Sequence, residues 1–425
     1  MEHKLYGDGI HDDFPAIQEM LDSKRHCISL PEPESHYVIS KTLRIHSNQE
    51  LQLDRFTRIK LSDHANCAMI KNAEPLSGNQ NIRITGGIWD MNHNNQKPNP
   101  WHFADEKNGK TAYDELLERG FHPTTKPIPA GYEGKVKICG SDFPDDVYTG
   151  FCFMFLSVKN FYIGNLTIVN PVVYGMDLYH IEDFTVENIE FEYNEGSPKL
   201  WNLDGVHIEG FCKNGVVRNL KGACHDDAVA ITSDDNFLNG PIENITVDGI
   251  YAQNSHSAVR LLSRVNPVKN IHITNVYGTF YVYCIVISKY SELPERSGFE
   301  NITVDNVFAS IGEGTKDVPG NYEPLISIKE NIDVKNLSFS RIYRNEKRCS
   351  TPTIGIGKNT TVNHLSISDC VQTNETEKEF AFLHCDGSIG DLYLLNVQTD
   401  QDKLLNSDAD IAHMIMNPFS SNGIQ

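Results

Sequence analysis

No apolar run in this chain approaches the roughly 18 to 20 residues that a membrane-spanning helix needs. Its start, Met1-Glu2-His3-Lys4-Leu5-Tyr6, has no apolar signal core. Both absences speak against a membrane and lead us to expect a soluble, cytoplasmic protein; prior removal of a signal peptide would leave the same start on a secreted one. Positive charge is also scarce. The 37 Lys and Arg face 57 Asp and Glu, giving a formal charge of −20 and a pI near 5.2. That balance argues against nucleic acid as a partner, which needs a basic footprint, and weighs against a polyanionic substrate. The ten cysteines form no C-x-x-C pair, and several lie inside apolar strand-like runs, so they read as buried reduced thiols. No group of His, Cys, Asp and Glu has metal-ligand spacing in the sequence, so no metal and no cofactor is expected.

What the chain does have is a repeat. At 425 residues it exceeds one ordinary compact core, yet its composition is too uniform to divide in two. Short period-two runs begin near residue 27: Cys27-Ile28-Ser29, Tyr37-Val38-Ile39, Leu43-Arg44-Ile45, Leu51-Gln52-Leu53 and Arg58-Ile59-Lys60-Leu61. An asparagine or aspartate followed by alternating apolar residues then recurs at 81, 160, 183, 214, 244, 270, 301 and 331, and again at Thr360-Thr361-Val362. From 160 onward the steps are 23, 31, 30, 26, 31 and 30 residues. Such periods signal a solenoid, and strands without helical period favour stacked β coils.

The expectation is one all-β domain over 1–425. Residues 7–24 supply a Gly7-Asp8-Gly9 turn, an aspartate N-cap and an amphipathic helix that plugs one end. The repeat stops over 91–150, where Asn, Pro, Lys and Gly gather around Trp101 and His102. This reads as an insertion forming a lid or cleft wall, against a disordered excursion. After Val397 the repeats give way to a polar cap or tail over 400–425.

Chemistry concentrates in Asn202-Leu203-Asp204-Gly205 and Cys224-His225-Asp226-Asp227. On consecutive coils, aspartates 22 positions apart become neighbours at one strand spacing, roughly 4.8 Å. Carboxylates that close cannot all ionise without cost, so the pair of motifs proposes both an acid and a base. Adjacent Asp226 and Asp227 normally point to opposite faces of a strand, so a shared site requires a bend there. Asp12-Asp13 and Asp234-Asp235 read instead as turn pairs. Trp201 and Tyr174 suit either a sugar face or the core.

The order and spacing of these motifs resemble glycoside hydrolase family 28, the polygalacturonase family of inverting enzymes on a right-handed parallel β-helix. The glycine-aspartate turn and helix at 7–24 are similar to the opening segment of many pectin-lyase-like β-helix proteins. Asn202-Leu203-Asp204 stands for the family's Asn-Thr-Asp, His225-Asp226-Asp227 for its Gly-Asp-Asp, and Ser255-His256-Ser257 for its Gly-His-Gly. The resemblance implies Asp226 as acid, Asp204 and Asp227 as bases, and His256 as a residue tuning the acid or touching the sugar. Asn202 and His225, with Trp201 and Tyr174 as the aromatic candidates, are the expected substrate-binding residues. The family's Arg-Ile-Lys is replaced by Cys284-Ile285-Val286-Ile287-Ser288-Lys289, leaving Lys289, with Arg260 as a replacement cation for a substrate carboxylate. The function expected is inverting hydrolysis of an oligo- or polysaccharide, polygalacturonase-like, with exo or endo action, sugar identity and oligomeric state open. A β-helix lyase or epimerase, or a non-catalytic carbohydrate-binding β-helix, is the alternative.

Overall fold

The computed structural model describes residues 4–122, 137–138, 146–194, 199–235, 239–289, 295–317, 319–407 and 410–417. Among the described residues, 26 strands join in one continuous sheet wound into a β-helix, each paired in parallel with the strand one coil away. The coils that carry the site are β1 (Met176–Glu192), β2 (Val206–Glu209), β3 (Asp227–Thr232), β4 (Ser257–Leu262) and β5 (Ile285–Ser288). Three further coils follow as β6 (Ile326–Ile328), β7 (Ile354–Ile356) and β8 (Leu383–Cys385).

Register explains why apolar residues recur. Val206 pairs with Val229, Val229 with Val259, Val259 with Ile285, Ile285 with Ile326, Ile326 with Ile354 and Ile354 with Leu383. All seven are buried, so each coil stacks an aliphatic side chain on the previous one along the helix axis. The next position points the opposite way. That outward row runs Asp177, His207, Ala230, Arg260, Val286, Ser327, Gly355 and His384. A row of branched aliphatics inside and a row of mixed polarity outside is what the period-two pattern encodes.

The recurring asparagines turn the corners. Asn81, Asn160, Asn214, Asn244, Asn270 and Asn301 all hold left-handed φ between 56° and 60°, which a short side chain able to bond locally tolerates best. Each side-chain amide then donates to the preceding coil: Asn214 to Asp183 (3.0 Å), Asn244 to Asn214 (3.0 Å), Asn270 to Asn244 (2.9 Å) and Asn301 to Asn270 (2.8 Å). The repeat assigned to Asn331 belongs elsewhere. Asn336 continues this ladder by donating to Asn301 (2.7 Å), whereas Asn331 accepts from Asn359 (2.7 Å) on a second corner.

Helix α1 (Phe14–Asp22) buries Ala16, Ile17 and Leu21 over the first coils. Asp13 sits at its N-cap but does not cap it. Its carboxylate accepts from the amides of Tyr6, Gly7 and Val38 instead, tying the incoming chain to a strand. The five short strands expected between 27 and 61 are all present. Of the nine described cysteines, seven are buried, Cys67 is half-buried and Cys27 is exposed, against the expectation for that thiol.

The insertion is structured over part of its length, and one expectation changes at the C-terminal end. Residues 91–122 are structured: helix α2 (Ala112–Glu118) carries a reciprocal capping box between Thr111 and Asp114. Residues 123–136 and 139–145 of the insertion lie outside the described residues. At the C-terminus, Leu405–Ser407 and Ile411–Met416 pair with the preceding coil, so the stack continues past residue 400 before 418–425 leave the described range.

Candidate active site

The site forms where β2, β3 and β4 begin. Asp204 immediately precedes the turn into β2, and Gly205 lets that turn close on its neighbour. A Cβ at position 205 would sit 2.5 Å from the Ala228 carbonyl oxygen and 2.7 Å from the Phe191 ring, closer than any side chain allows. The required bend is present at Asp226: β3 starts only at Asp227, so the two adjacent carboxylates share one side.

Donor atoms of Asp226, Asp227 and His256 lie within 4.8 Å of one another. His256 Nδ1 stands 3.7 Å from Asp226 Oδ1, and Arg260 Nη1 stands 3.9 Å from Asp227 Oδ2. Ser257 donates its hydroxyl proton to the other oxygen of Asp227. The carboxylates differ in exposure. The side chain of Asp226 is 23% exposed and that of Asp227 1%, while Asp204 is 3% exposed. Asp226 is therefore the carboxyl open to solvent, and the other two are closed off from it.

Burial dominates the electrostatics. It pushes the Asp204 carboxyl well above the usual range, with Asp226 and Asp227 adding to the rise and His207 opposing it. Asp226 is raised by burial and pulled down by Arg260. Asp227 is pushed up to about 6 by burial and Asp226, with Arg260 again opposing. His256 is lowered by burial, which favours its neutral form. A cluster that retains protons near neutrality can both donate and accept one.

The structure separates the remaining expected residues. Asn202 Oδ1 accepts from Asn99 Nδ2 (3.2 Å) and pairs with His102 Nε2 (2.6 Å), while Trp201 stacks on Phe103 at 6.3 Å. Residues 99–103 of the insertion thus build a wall against the first motif. Tyr174 does not offer a face to a sugar. It is sandwiched between Phe151 (4.6 Å) and His207 (4.2 Å), because both rings stack on it nearly in parallel. His225 is turned inward, with Nε2 against the Tyr193 carbonyl (3.0 Å) and Nδ1 against the Tyr281 hydroxyl (3.3 Å). Both its ring nitrogens are engaged by protein, so it braces the turn.

Arg260 and Lys289 line a groove of ≈ 990 Å³ that runs from His256 along β5 to β8. Arg260 sits in direct register with Val286, on the coil before the missing arginine, and its Nε reaches Ser288 Oγ at 3.4 Å. Lys289 donates to the Glu295 carbonyl at 2.5 Å. Lys329 and Lys358 extend the cationic lining against Glu323, Glu330 and Asp386, so the groove is slightly positive in a chain of net charge −20.

Several residues escaped sequence reasoning. His207, Glu209, Asp235 and Asp177 pack behind Asp204, all buried. The spacing Asp204-x-x-His207 was the available signal. Of the Asp234-Asp235 turn pair, only Asp234 behaves as expected, accepting the amides of Arg264, Val265 and Asn266. Asp235 points to His207, 3.6 Å away. Folding also creates the metal-like spacing that the sequence lacked, at Asp226, Asp227 and His256. The Arg260 guanidinium beside Asp227 opposes a dication there.

Comparison with known proteins agrees with this geometry. The sequence profile of glycosyl hydrolases family 28 matches residues 148–277, the stretch that holds all three aspartates and His256. This site-bearing segment is similar to glycosyl hydrolases family 28. No curated protein matches the chain. Among solved structures, the hyperthermoactive exopolygalacturonase of Thermotoga maritima is 18% identical, covering 92% of this chain and 89% of its own, with a TM-score of 0.58. The endo-xylogalacturonan hydrolase of Aspergillus tubingensis is 17% identical over 96% and 98%, TM-score 0.52. The A-module of the mannuronan C-5 epimerase AlgE6 of Azotobacter vinelandii is 12% identical over 97% of both chains, TM-score 0.56. At these identities the neighbours speak to fold alone, and the family 28 segment lies on a right-handed parallel β-helix.

Proposed function

We propose that this family 28 glycoside hydrolase cleaves a uronate-bearing oligosaccharide by inversion, using Asp226 as acid and Asp204 with Asp227 as the base pair. Asp226 protonates the glycosidic oxygen as the bond to the anomeric carbon breaks. A water held by Asp204 and Asp227 attacks that carbon from the opposite face and loses its proton to them. The observation that carries the assignment is the exposure order, with one raised-pKa carboxyl partly exposed and two buried. The slightly positive groove supports a carboxylated sugar, with Arg260 positioned to supply the fork that the missing arginine would have given. The wall of residues 99–103 against Trp201 and Asn202 supports attack near a chain end.

The experiment is product release from uronate and neutral α-linked oligosaccharides by the parent and Asp226→Asn, with the anomeric form of the new reducing end followed by proton NMR. Release of one sugar at a time with inverted configuration by the parent alone is the expected result. Retention of configuration, or a product absorbing as a new double bond, would refute this mechanism; midchain cleavage of polymer would refute the chain-end reading.

A further inference from the structure

Behind Asp204 the chain buries a charged knot that the acid and base assignments leave unused. His207 is 2% exposed. Its Nδ1 lies 2.8 Å from Asp204 Oδ2, and its Nε2 faces Thr232 Oγ1 at 3.1 Å, Glu209 Oε1 at 3.4 Å and Asp235 Oδ2 at 3.6 Å. The Thr232 hydroxyl donates its single proton to the Ile208 carbonyl at 3.2 Å, so its oxygen can only accept from His207. Nε2 therefore carries a proton. Nδ1 meets a carboxylate oxygen, so an ionised Asp204 requires a proton there as well.

The surroundings favour the doubly protonated ring. Asp177 lies beside it in direct register on β1, with Lys71 acting on Asp177 from beyond, and Asp226 interacts with it electrostatically from the turn before β3. Tyr174 covers the ring face at 4.2 Å and 12°, with Phe151 stacked behind, so water does not screen these interactions.

We infer that His207 is a positioning residue: an imidazolium clamped between Asp204 and the Thr232, Glu209 and Asp235 oxygens, which holds Asp204 in place as the base and favours its ionised form against the burial around it. It touches neither substrate nor the reacting atoms, and acts through Asp204 alone. The inference rests on the hydrolase reading above. Removing the cation leaves burial and two like charges acting on Asp204 unopposed, so its proton is lost only at higher pH.

The test uses the full chain with ¹⁵N-labelled histidine, plus His207→Asn, whose amide can still donate to Asp204 but carries no charge, and His207→Gln. Subtracting the His207→Asn spectrum assigns the ring nitrogens of His207, and both are expected to be protonated at pH 7.5. A neutral ring there overturns the proposal whether or not any substrate has been found. On the oligosaccharide that the parent cleaves, His207→Asn should lose about 100-fold in kcat near pH 5. The acidic limb of its kcat/KM profile should move up by about one to two pH units. His207→Gln, without a donor at the Nδ1 position, should lose at least as much. An equal loss at every pH with the limb in place would mark a merely structural residue and overturn the proposal. A charged His207 in a parent that cleaves nothing would instead refute the hydrolase reading and the base role with it.

Discussion

Replacing Asp226 by Asn removes one proton and almost no volume from the most exposed of the three carboxyls. The side chain sits in the bend ahead of β3 rather than in the ladder, so the coil should fold unchanged. General acid catalysis contributes about 10²- to 10⁴-fold, which corresponds to about 3 to 5 kcal/mol of transition-state stabilisation. The loss should appear in kcat, because the proton moves only as the bond breaks. A second effect follows from the neighbours. Asp226 raises both Asp204 and Asp227, so the variant's residual activity should peak at lower pH than the parent's. The assay is initial rate against pH on the accepted oligosaccharide and on an aryl glycoside of the same sugar, whose leaving group needs little protonation. Most of the lost rate should return on the aryl substrate. If Asp226→Asn keeps more than about a tenth of the parent rate on the oligosaccharide, or if both substrates suffer equally, Asp226 is not the acid.

Arg260→Met should raise KM for a uronate substrate by about tenfold or more while leaving a neutral analogue little changed, as loss of a charged hydrogen bond implies. It should also shift the Asp227 titration above about 6, because the guanidinium holds that value down. Both effects are read from Michaelis constants and a pH profile. Asn244→Ala should destabilise by about 1 to 2 kcal/mol, through lost bonds to Asn214 and Asn270 and through its φ of 60°. Asn244→Gly should recover the backbone part, so equal denaturation midpoints for the two variants would contradict the φ argument. Asp177 is fully buried, and burial lifts its carboxyl to about 7. The folded chain thus holds a proton that an unfolded aspartate releases near 3.9, and stability falls as pH rises between those values. Asp177→Asn should therefore raise Tm relative to the parent at pH 8 and much less at pH 4; the opposite ordering would show that the group is ionised in the fold.

How much of the site was legible differs residue by residue. Asp204, Asp226, Asp227 and His256 were visible because family 28 motifs are contiguous and ordered along the chain, and the bend at Asp226 followed from two adjacent carboxylates having to share a face. His207 was not visible as a partner, because Asp204-x-x-His207 is an ordinary spacing until Thr232 and Asp235 arrive from the next coil. Tyr174 was misplaced for the mirror reason. Its two stacking partners come from residues 151 and 207, and nothing local reveals that both faces are covered. Among the asparagines, Asn331 fitted the period yet lies on a different corner, since a 30-residue step does not report how many residues each side of the coil uses.

The sequence by itself determined the architecture, because strand period and left-handed corner asparagines are properties of a few consecutive residues and their repetition leaves one way to bury the aliphatic positions. It also determined the acid and base candidates, whose chemistry belongs to the side chain. Only the tertiary structure decided which carboxyl is the most exposed, that Arg260 stands one coil before the place of the missing arginine, and that the groove is slightly positive in an acidic chain. Exposure, charge balance and proton affinity are set by neighbours that the chain supplies from coils some 20 to 40 residues away, and no local pattern carries them.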